Sequence, residues 1–363
     1  MDTTVPDIQF DEKGICNYCR QYAERIQREL HYDEAGQKWL NRMIEKIKGD
    51  GAGREYDCII GISGGVDSTY VAYLVKKQFG LRPLAVHLDN GWNAELAVNN
   101  VELALKRLDI DLYTYVLDWE EFKDLQVSFL KASIANAEIP TDHAIVALLF
   151  RVAAAEGIPY IITGSNIVTE AIMPDSWMYD TRDLRFIKAI QRQFGRVKLK
   201  TYPQISILNF IYYIFIRGIK FIPILNYVPY VKEEAKQLLQ QELGWRDYGG
   251  KHFESIYTRF FQAYILPQKF NIDKRRAHLS NLILSGQITR DEALTEMGKP
   301  PCPPTELEED VEYVIKKLGL SYEEFNQIMA APVKTHTDYP NNAGLWHKFA
   351  PVVKFVRQRA INA

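Results

Sequence analysis

The sequence predicts an α/β fold, a doubly wound parallel sheet joined to a mainly helical C-terminal module. Three observations carry that expectation. Strand-like and helix-like patterns alternate strictly between residues 56 and 164, and such alternation implies parallel strands with helices on both faces. The first strand breaks into Ser63-Gly-Gly-Val-Asp-Ser68 and passes at once into a helix-periodic stretch. From about residue 170 the alternation gives way to aromatic, basic, helix-like segments without repeats.

In chain order, residues 1–20 read as a small irregular knuckle holding Cys16-Asn-Tyr-Cys19, and residues 21–48 as a solvated helical segment. Gly49-Asp-Gly-Ala-Gly53 is a flexible break. Tyr56–Ile62 is then a strand, followed by a helix to Phe79 and a second strand, Pro83–Asp89. Ala94–Leu108 is helical, Asp111–Leu117 a third strand and Glu120–Asn136 helical again. Thr141–Glu156 is a strongly apolar helix before a fourth strand, Pro159–Gly164. The expected units are 1–50 (knuckle and helix), 54–198 (the sheet) and 199–363 (a helical substrate or partner module).

The chain has 363 residues, 47% of them hydrophobic, and a formal net charge of −2. That length allows two domains, and the charge excludes the global basic field typical of nucleic-acid binders. Four cysteines are too few for a disulfide framework, and the N-terminal residues lack the positive and apolar regions of a signal peptide. A cytoplasmic protein is expected. Ile205–Tyr230 is densely apolar and aromatic, but its longest uncharged part, Ile205–Ile216, is 12 residues against roughly 20 for a spanning helix. A buried helix or docking surface is expected there, with membrane-surface contact the second choice because Arg217 and Lys220 flank the run.

Ligands of open parallel sheets bind beyond the carboxyl ends of the strands. Ser63 to Ser68, Asp89-Asn90-Gly91 and Thr163-Gly-Ser-Asn166 all fall there. A strand-loop-helix aims backbone N–H groups and a positive helix end at an anion, and Gly64 and Gly65 let the backbone approach a phosphate. The ordinary phosphate loop would need a lysine that this one lacks. The loop instead resembles the pyrophosphate loop of the N-type ATP pyrophosphatases (the adenine nucleotide alpha hydrolase-like fold), which cut ATP between the α and β phosphates.

For that chemistry Asp67 is the candidate magnesium ligand, and Ser63 and Ser68 can donate to phosphate oxygens. Asp89, Gly164 and Asn166 join them as candidate ATP-binding residues, although Asp89 can equally cap the next turn. His87, mid-strand, reads as a core histidine; Glu170 follows the fourth strand at the mouth of the expected site, and Asp142 and His143 open the apolar helix, where Asp142 or Thr141 can equally be an N-cap. Cys16 and Cys19 are half of a tetrahedral zinc site, and Cys58 reads as core. Farther on, Lys251, His252, Glu254, Arg259, Lys274, Arg275 and Arg276 concentrate charge among aromatics, a set suited to an anionic ligand with a ring.

Met1-Asp-Thr-Thr, Phe10-Asp-Glu, Cys16-Asn-Tyr-Cys19, the loop, Gly244-Trp-Arg-Asp-Tyr-Gly-Gly-Lys-His-Phe-Glu-Ser255, Thr258-Arg-Phe-Phe and Asp273-Lys-Arg-Arg-Ala-His-Leu-Ser280 together resemble the N-acetyl sugar amidotransferases of surface-polysaccharide and flagellin-sugar biosynthesis. Members commonly carry a further Cys-x2-Cys ahead of the Met-Asp-Thr segment, which here is not present in the sequence, so the implied zinc knuckle is incomplete. The resemblance implies conversion of an acetamido group on a UDP-linked sugar, in lipopolysaccharide O-antigen or related synthesis, to an acetamidino group through an adenylylated intermediate. Asp67 and Ser68 would act in ATP cleavage, and Lys251 and His252 at the reacting groups. No cysteine stands in a glutaminase-like elbow, so ammonia is expected from a separate glutaminase subunit, with a cyclase-like subunit as further partner. A tRNA-thiolating pyrophosphatase and a non-catalytic nucleotide-binding partner of a membrane sugar assembly are the competing readings.

Overall fold

The computed structural model describes residues 1–250 and 253–344. Five parallel strands form one sheet in the order β3-β2-β1-β4-β5: β1 Cys58–Gly61, β2 Pro83–Asp89, β3 Asp111–Val116, β4 Tyr160–Thr163 and β5 Lys220–Pro223. Central β1 pairs Ile59 with Leu84 of β2 on one side and with Ile161 of β4 on the other. Successive side chains of a strand point to opposite faces, so Ile59 enters one core and Cys58 and Ile60 the other. The central strands β1, β2 and β4 are therefore covered on both faces, whereas edge strand β3 is largely exposed.

Two helices precede it, α1 Asn17–Glu29 and α2 Glu34–Asp50. The expectation of a solvated segment over 21–48 is corrected in α2, where Leu40, Ile44 and Ile47 form a helical stripe buried in the core. Between the strands run α3 Val66–Tyr73, α4 Glu95–Leu108, α5 Trp119–Lys131 and α6 Ile139–Ala155. A π-helical turn, Leu74–Gln78, prolongs α3. The helix expected to reach Asn136 stops at Lys131, because Ser133 takes a left-handed φ of 56°. Apolar α6 is buried over most of its length and packs on β1, β2 and β4.

The second correction concerns residues 199–363. Lys220–Pro223, within the apolar run expected to be a helix or docking surface, pairs in parallel with β4 as the fifth strand. Its alternation was hidden because the pairing partner, not the local pattern, makes this short segment a strand. Leu239, Leu243 and Trp245 likewise bury into the core beside β1. The other regular elements described within 199–344 are helices. Among the described residues no helix is long and apolar enough to cross a membrane.

Candidate active site at the end of the first strand

Where β1 ends, the chain turns through Ser63 to Ser68 into α3. Gly65 is the N-cap residue of α3 and makes no side-chain capping bond, so the first N–H groups of the helix are left to other acceptors. Gly64 has φ 84°, and a Cβ there would lie 2.5 Å from the Ala97 carbonyl oxygen; only glycine permits both. The two serines brace the turn. Their hydroxyls lie 3.2 Å apart, the Ser63 N–H donates to Ser68 Oγ at 3.2 Å, and Ser68 Oγ donates to the Gly65 carbonyl at 3.1 Å. Gly164, at the end of β4, passes so close that a Cβ would sit 3.0 Å from the Asp67 backbone.

The loop borders a cleft of about 220 Å³. Ser63, Gly65, Val66, Asp67 and Ser68 form one side, and Gly164, Ser165, Glu170, Lys232, Tyr248 and Glu254 close it. Three of these last come from beyond residue 199. Tyr248 accepts a hydrogen bond from the Val66 N–H at 3.3 Å, Trp245 donates from its ring nitrogen to the Gly64 carbonyl at 2.9 Å, and Tyr230 donates its hydroxyl to Asp67 Oδ1. Glu254 is held at the mouth by its own backbone, since its carbonyl accepts from the Ala94 N–H at 2.9 Å and the Ile256 N–H donates to the Trp92 carbonyl at 2.9 Å. Burial pushes the Tyr230 hydroxyl far above its ordinary pKa, with the Asp67 charge adding to it. Burial and then the Glu254 charge do the same for Tyr248. Both phenols stay protonated at neutral pH, and the Tyr230 hydroxyl donates to Asp67.

The other expected residues divide sharply. Asp89 Oδ1 accepts from the Gly91 N–H at 2.9 Å and from the Asn93 amide at 3.3 Å, the turn-capping alternative. Asn166 is buried and caps Ile167–Glu170, accepting from the Thr169 N–H at 2.9 Å, and its amide donates to the Gly164 carbonyl at 3.2 Å. His87 bonds the Ile62 carbonyl at 2.8 Å and the Asn93 amide at 3.1 Å, as a core histidine would. His143 is fully buried between the Thr181 carbonyl (2.8 Å) and the Ile205 N–H (3.1 Å). Burial pushes its pKa down to about 4.

Of the charged set in the C-terminal half, Glu254 alone among the described members borders the loop cleft. Arg259 makes a bidentate pair with Asp310 at 2.6 and 2.8 Å. Lys274 pairs with Glu138 at 3.2 Å, Arg275 with Asp273 at 2.8 Å and Arg276 with Asp2 at 2.6 Å. Lys251 and His252 lie outside the described residues. Tyr230, Lys232, Trp245 and Tyr248 were not singled out beforehand; the Trp-Arg-Asp-Tyr string preceding Gly249 held two of them.

For metals, Asp67 is one carboxylate facing a phosphate loop, which suits magnesium, an ion held by one or two carboxylates plus the substrate's phosphates. Cys16 and Cys19 lie with sulfurs 3.4 Å apart, and Cys16 accepts from the Cys19 N–H as the cap of α1. Two thiols supply half of a tetrahedral site, and among the described residues no three His, Cys, Asp or Glu side chains gather as a metal centre. These two residues by themselves thus supply two of the four ligands zinc takes.

Comparison with known proteins adds findings of three kinds. Residues 36–135 match the NAD synthase family. Residues 254–353 match a domain described as "LPS biosynthesis protein WbpG-like, C-terminal domain". Among curated relatives, an uncharacterized protein of Methanocaldococcus jannaschii is 26% identical over 82% of this chain and 90% of its own length. A glutamine-hydrolyzing GMP synthase of Pyrobaculum aerophilum is 28% identical over 38% of this chain, which spans 25% of that enzyme. Among solved structures, NMN synthetase from Francisella tularensis has a TM-score of 0.38 at 14% identity, covering 80% of this chain and 98% of its own. The NH3-dependent NAD synthetase from Campylobacter jejuni has a TM-score of 0.32 at 14% identity, with 82% and 98% covered.

Proposed function

We propose that this chain, which joins an NAD-synthase-type ATP pyrophosphatase domain to a WbpG-like C-terminal domain, is an ATP-dependent carbon–nitrogen ligase that amidates an N-acetyl sugar carried on UDP. One observation carries the reading: the WbpG-like match begins at Glu254, and Glu254 borders the phosphate loop. The domain that would bring the sugar thus reaches the site where ATP would be cut.

An amide carbonyl is a poor electrophile and its oxygen a poor leaving group. In the proposed reaction the acetamido oxygen attacks the ATP α-phosphate, forming an O–P bond as the bond to pyrophosphate breaks. Ammonia then adds at the imidate carbon, and AMP departs with the former amide oxygen, leaving an acetamidino group. The loop's N–H groups and serine hydroxyls would take up charge on the departing pyrophosphate, and Lys232 supplies a cation at the cleft. Asp67, oriented by the Tyr230 hydroxyl, would hold magnesium, which neutralises phosphate charge when bound. Tyr248, already hydrogen-bonded to the Val66 N–H, must yield that donor to an incoming phosphate oxygen.

The ammonia would come from a separate glutaminase. Burial holds Cys19 and Cys58 toward the thiol form and pushes Cys302 up to about 12, whereas a nucleophilic cysteine needs a depressed pKa. An ATP-consuming step of this kind belongs in the cytoplasm. The test is pyrophosphate release from ATP with ammonium and a panel of UDP-N-acetyl sugars, beside tRNA and beside glutamine. Release that needs both ammonium and a sugar nucleotide is expected. Release with tRNA alone would sink the proposal in favour of a tRNA-modifying enzyme, and turnover with glutamine alone would remove the separate glutaminase.

A further inference from the structure

The 49 residues from Leu184 to Lys232 contain nine basic side chains and no acidic one. The whole chain carries more acidic residues, 46, than basic ones, 44, so a tract this one-sided is a local exception. Arg192, Arg196, Lys198, Lys200 and Arg217 are exposed. In the midst of the tract stands a helical segment, Ile207–Ile211 continued by a π-helical turn, Tyr212–Ile216. Ser206 and Asn209 close its start in a reciprocal capping box, and Gly218 in a left-handed turn ends it.

One side of this segment is anchored. Phe210 and Tyr213 pack on Phe150 of α6 at ring distances of 5.3 and 5.6 Å, and Arg217 donates to the Ala154 carbonyl at 2.6 Å. The other side is a stripe at helical spacing, Leu208, Ile211, Tyr212, Phe215 and Ile216, open to solvent among the described residues. Leu208 is 77% and Ile216 72% exposed. Surface helices ordinarily turn polar residues outward, and contiguous exposed apolar side chains mark a contact surface.

We propose that this stripe docks the protein on an anionic lipid surface, the segment lying in the plane of the headgroups. Ten residues of helix extend about 15 Å, half of the roughly 30 Å hydrocarbon layer, so the segment can lie in the interface but not span it. The basic tract complements an anionic surface. A second copy is a poor occupant, because a two-fold interface through the stripe would bring together the Arg217 and Lys220 side chains that end its segment in each copy. The stripe's five side chains carry one hydroxyl between them, too few polar groups to specify a shaped protein partner but sufficient for a fluid apolar layer. This inference stands apart from the ATP reading, since the stripe shares no residue with the loop cleft.

The test uses the full chain and sedimentation with vesicles of phosphatidylglycerol mixed into phosphatidylcholine, against phosphatidylcholine alone. Binding to the anionic vesicles that weakens with salt is expected, with little to the neutral ones. Leu208→Ser alone, and Phe215→Ser with Ile216→Ser, should each lower vesicle affinity, the pair by about tenfold or more. Lys198→Glu with Lys200→Glu should lower it and flatten its salt dependence. Melting temperature and ATP pyrophosphate release in solution should be unchanged in all three. Absence of wild-type binding to anionic vesicles, or equal binding by every variant, overturns the proposal. So does lipid-free dimerisation of the wild type that Leu208→Ser abolishes, which would assign the stripe to a second copy.

Discussion

The loop at Ser63–Ser68 and the charged segment at Glu254–Arg276 both stood out in sequence, yet the structure treats them in opposite ways. The loop's N–H groups, hydroxyls and Asp67 converge on one cleft. Arg259, Lys274, Arg275 and Arg276 of the second segment each meet a carboxylate of the same chain, and Lys269 donates to the Ile328 and Ala331 carbonyls; Arg259 and Lys274 pair with both partners largely buried. A short backbone motif defines its own donors, whereas a cationic side chain says nothing about which carboxylate the fold will bring to it. Clustered charge in sequence is therefore weaker evidence of a ligand site than a loop whose geometry is local.

The largest expected effect tests the cation side of that contrast. Arg259→Ala leaves Asp310, 6% exposed, without its guanidinium, and breaking a buried pair by removing one partner costs about 3–5 kcal/mol. Urea unfolding measures it, and Arg259→Met with Asp310→Leu should recover much of the loss. A variant of wild-type stability with a raised KM for the sugar nucleotide would instead make Arg259 a substrate ligand and break the comparison.

On the loop side, Asp67→Asn should leave the unfolding midpoint within about 0.5 kcal/mol of wild type. It should lower pyrophosphate release roughly a hundredfold or more, by analogy with removing one charge-stabilising group. Near-normal turnover would take Asp67 out of the site.

His143 belongs with the answered groups, and pH reports it. Its folded pKa, about 4, lies below the ordinary value of 6.5, so the unfolded chain binds the proton more readily. Its contribution is complete above pH 6.5 and is lost as pH falls from there toward 4, at up to about 1.4 kcal/mol per pH unit. Unfolding midpoints at pH 7 and pH 5 should differ accordingly, and His143→Asn should shrink the difference. An unchanged slope in that variant would show that other groups carry it.

Smallest is Tyr230→Phe, which removes one hydrogen bond to Asp67. A fall of about tenfold in kcat is expected, since a hydrogen bond to a charged group is worth about 1.5–3 kcal/mol and part of it is replaced by water. If kcat holds while stability falls, the phenol is a packing residue and Asp67 orients itself.

What the sequence determined by itself was local. β1, β2 and the helices between the strands follow from period and punctuation, and β2 spans the expected Pro83–Asp89. The loop was legible because Gly64, Gly65 and the serines act within six residues of one another. What only the tertiary structure decided was long-range. β5 lies 57 residues beyond β4 in the chain and becomes a strand by pairing with it. Tyr230 and Tyr248 come to the loop from 163 and 182 residues away. Tyr230 has no local signature, because a tyrosine near a proline looks alike whether it faces water, core or a phosphate loop, and the string that holds Tyr248 does not say which loop it meets. Pairing of Arg259 with Asp310 and of Lys274 with Glu138 was invisible for the same reason. Charge is written in the sequence, but the partner that neutralises it is chosen by packing, which brings together residues that no short-range pattern relates.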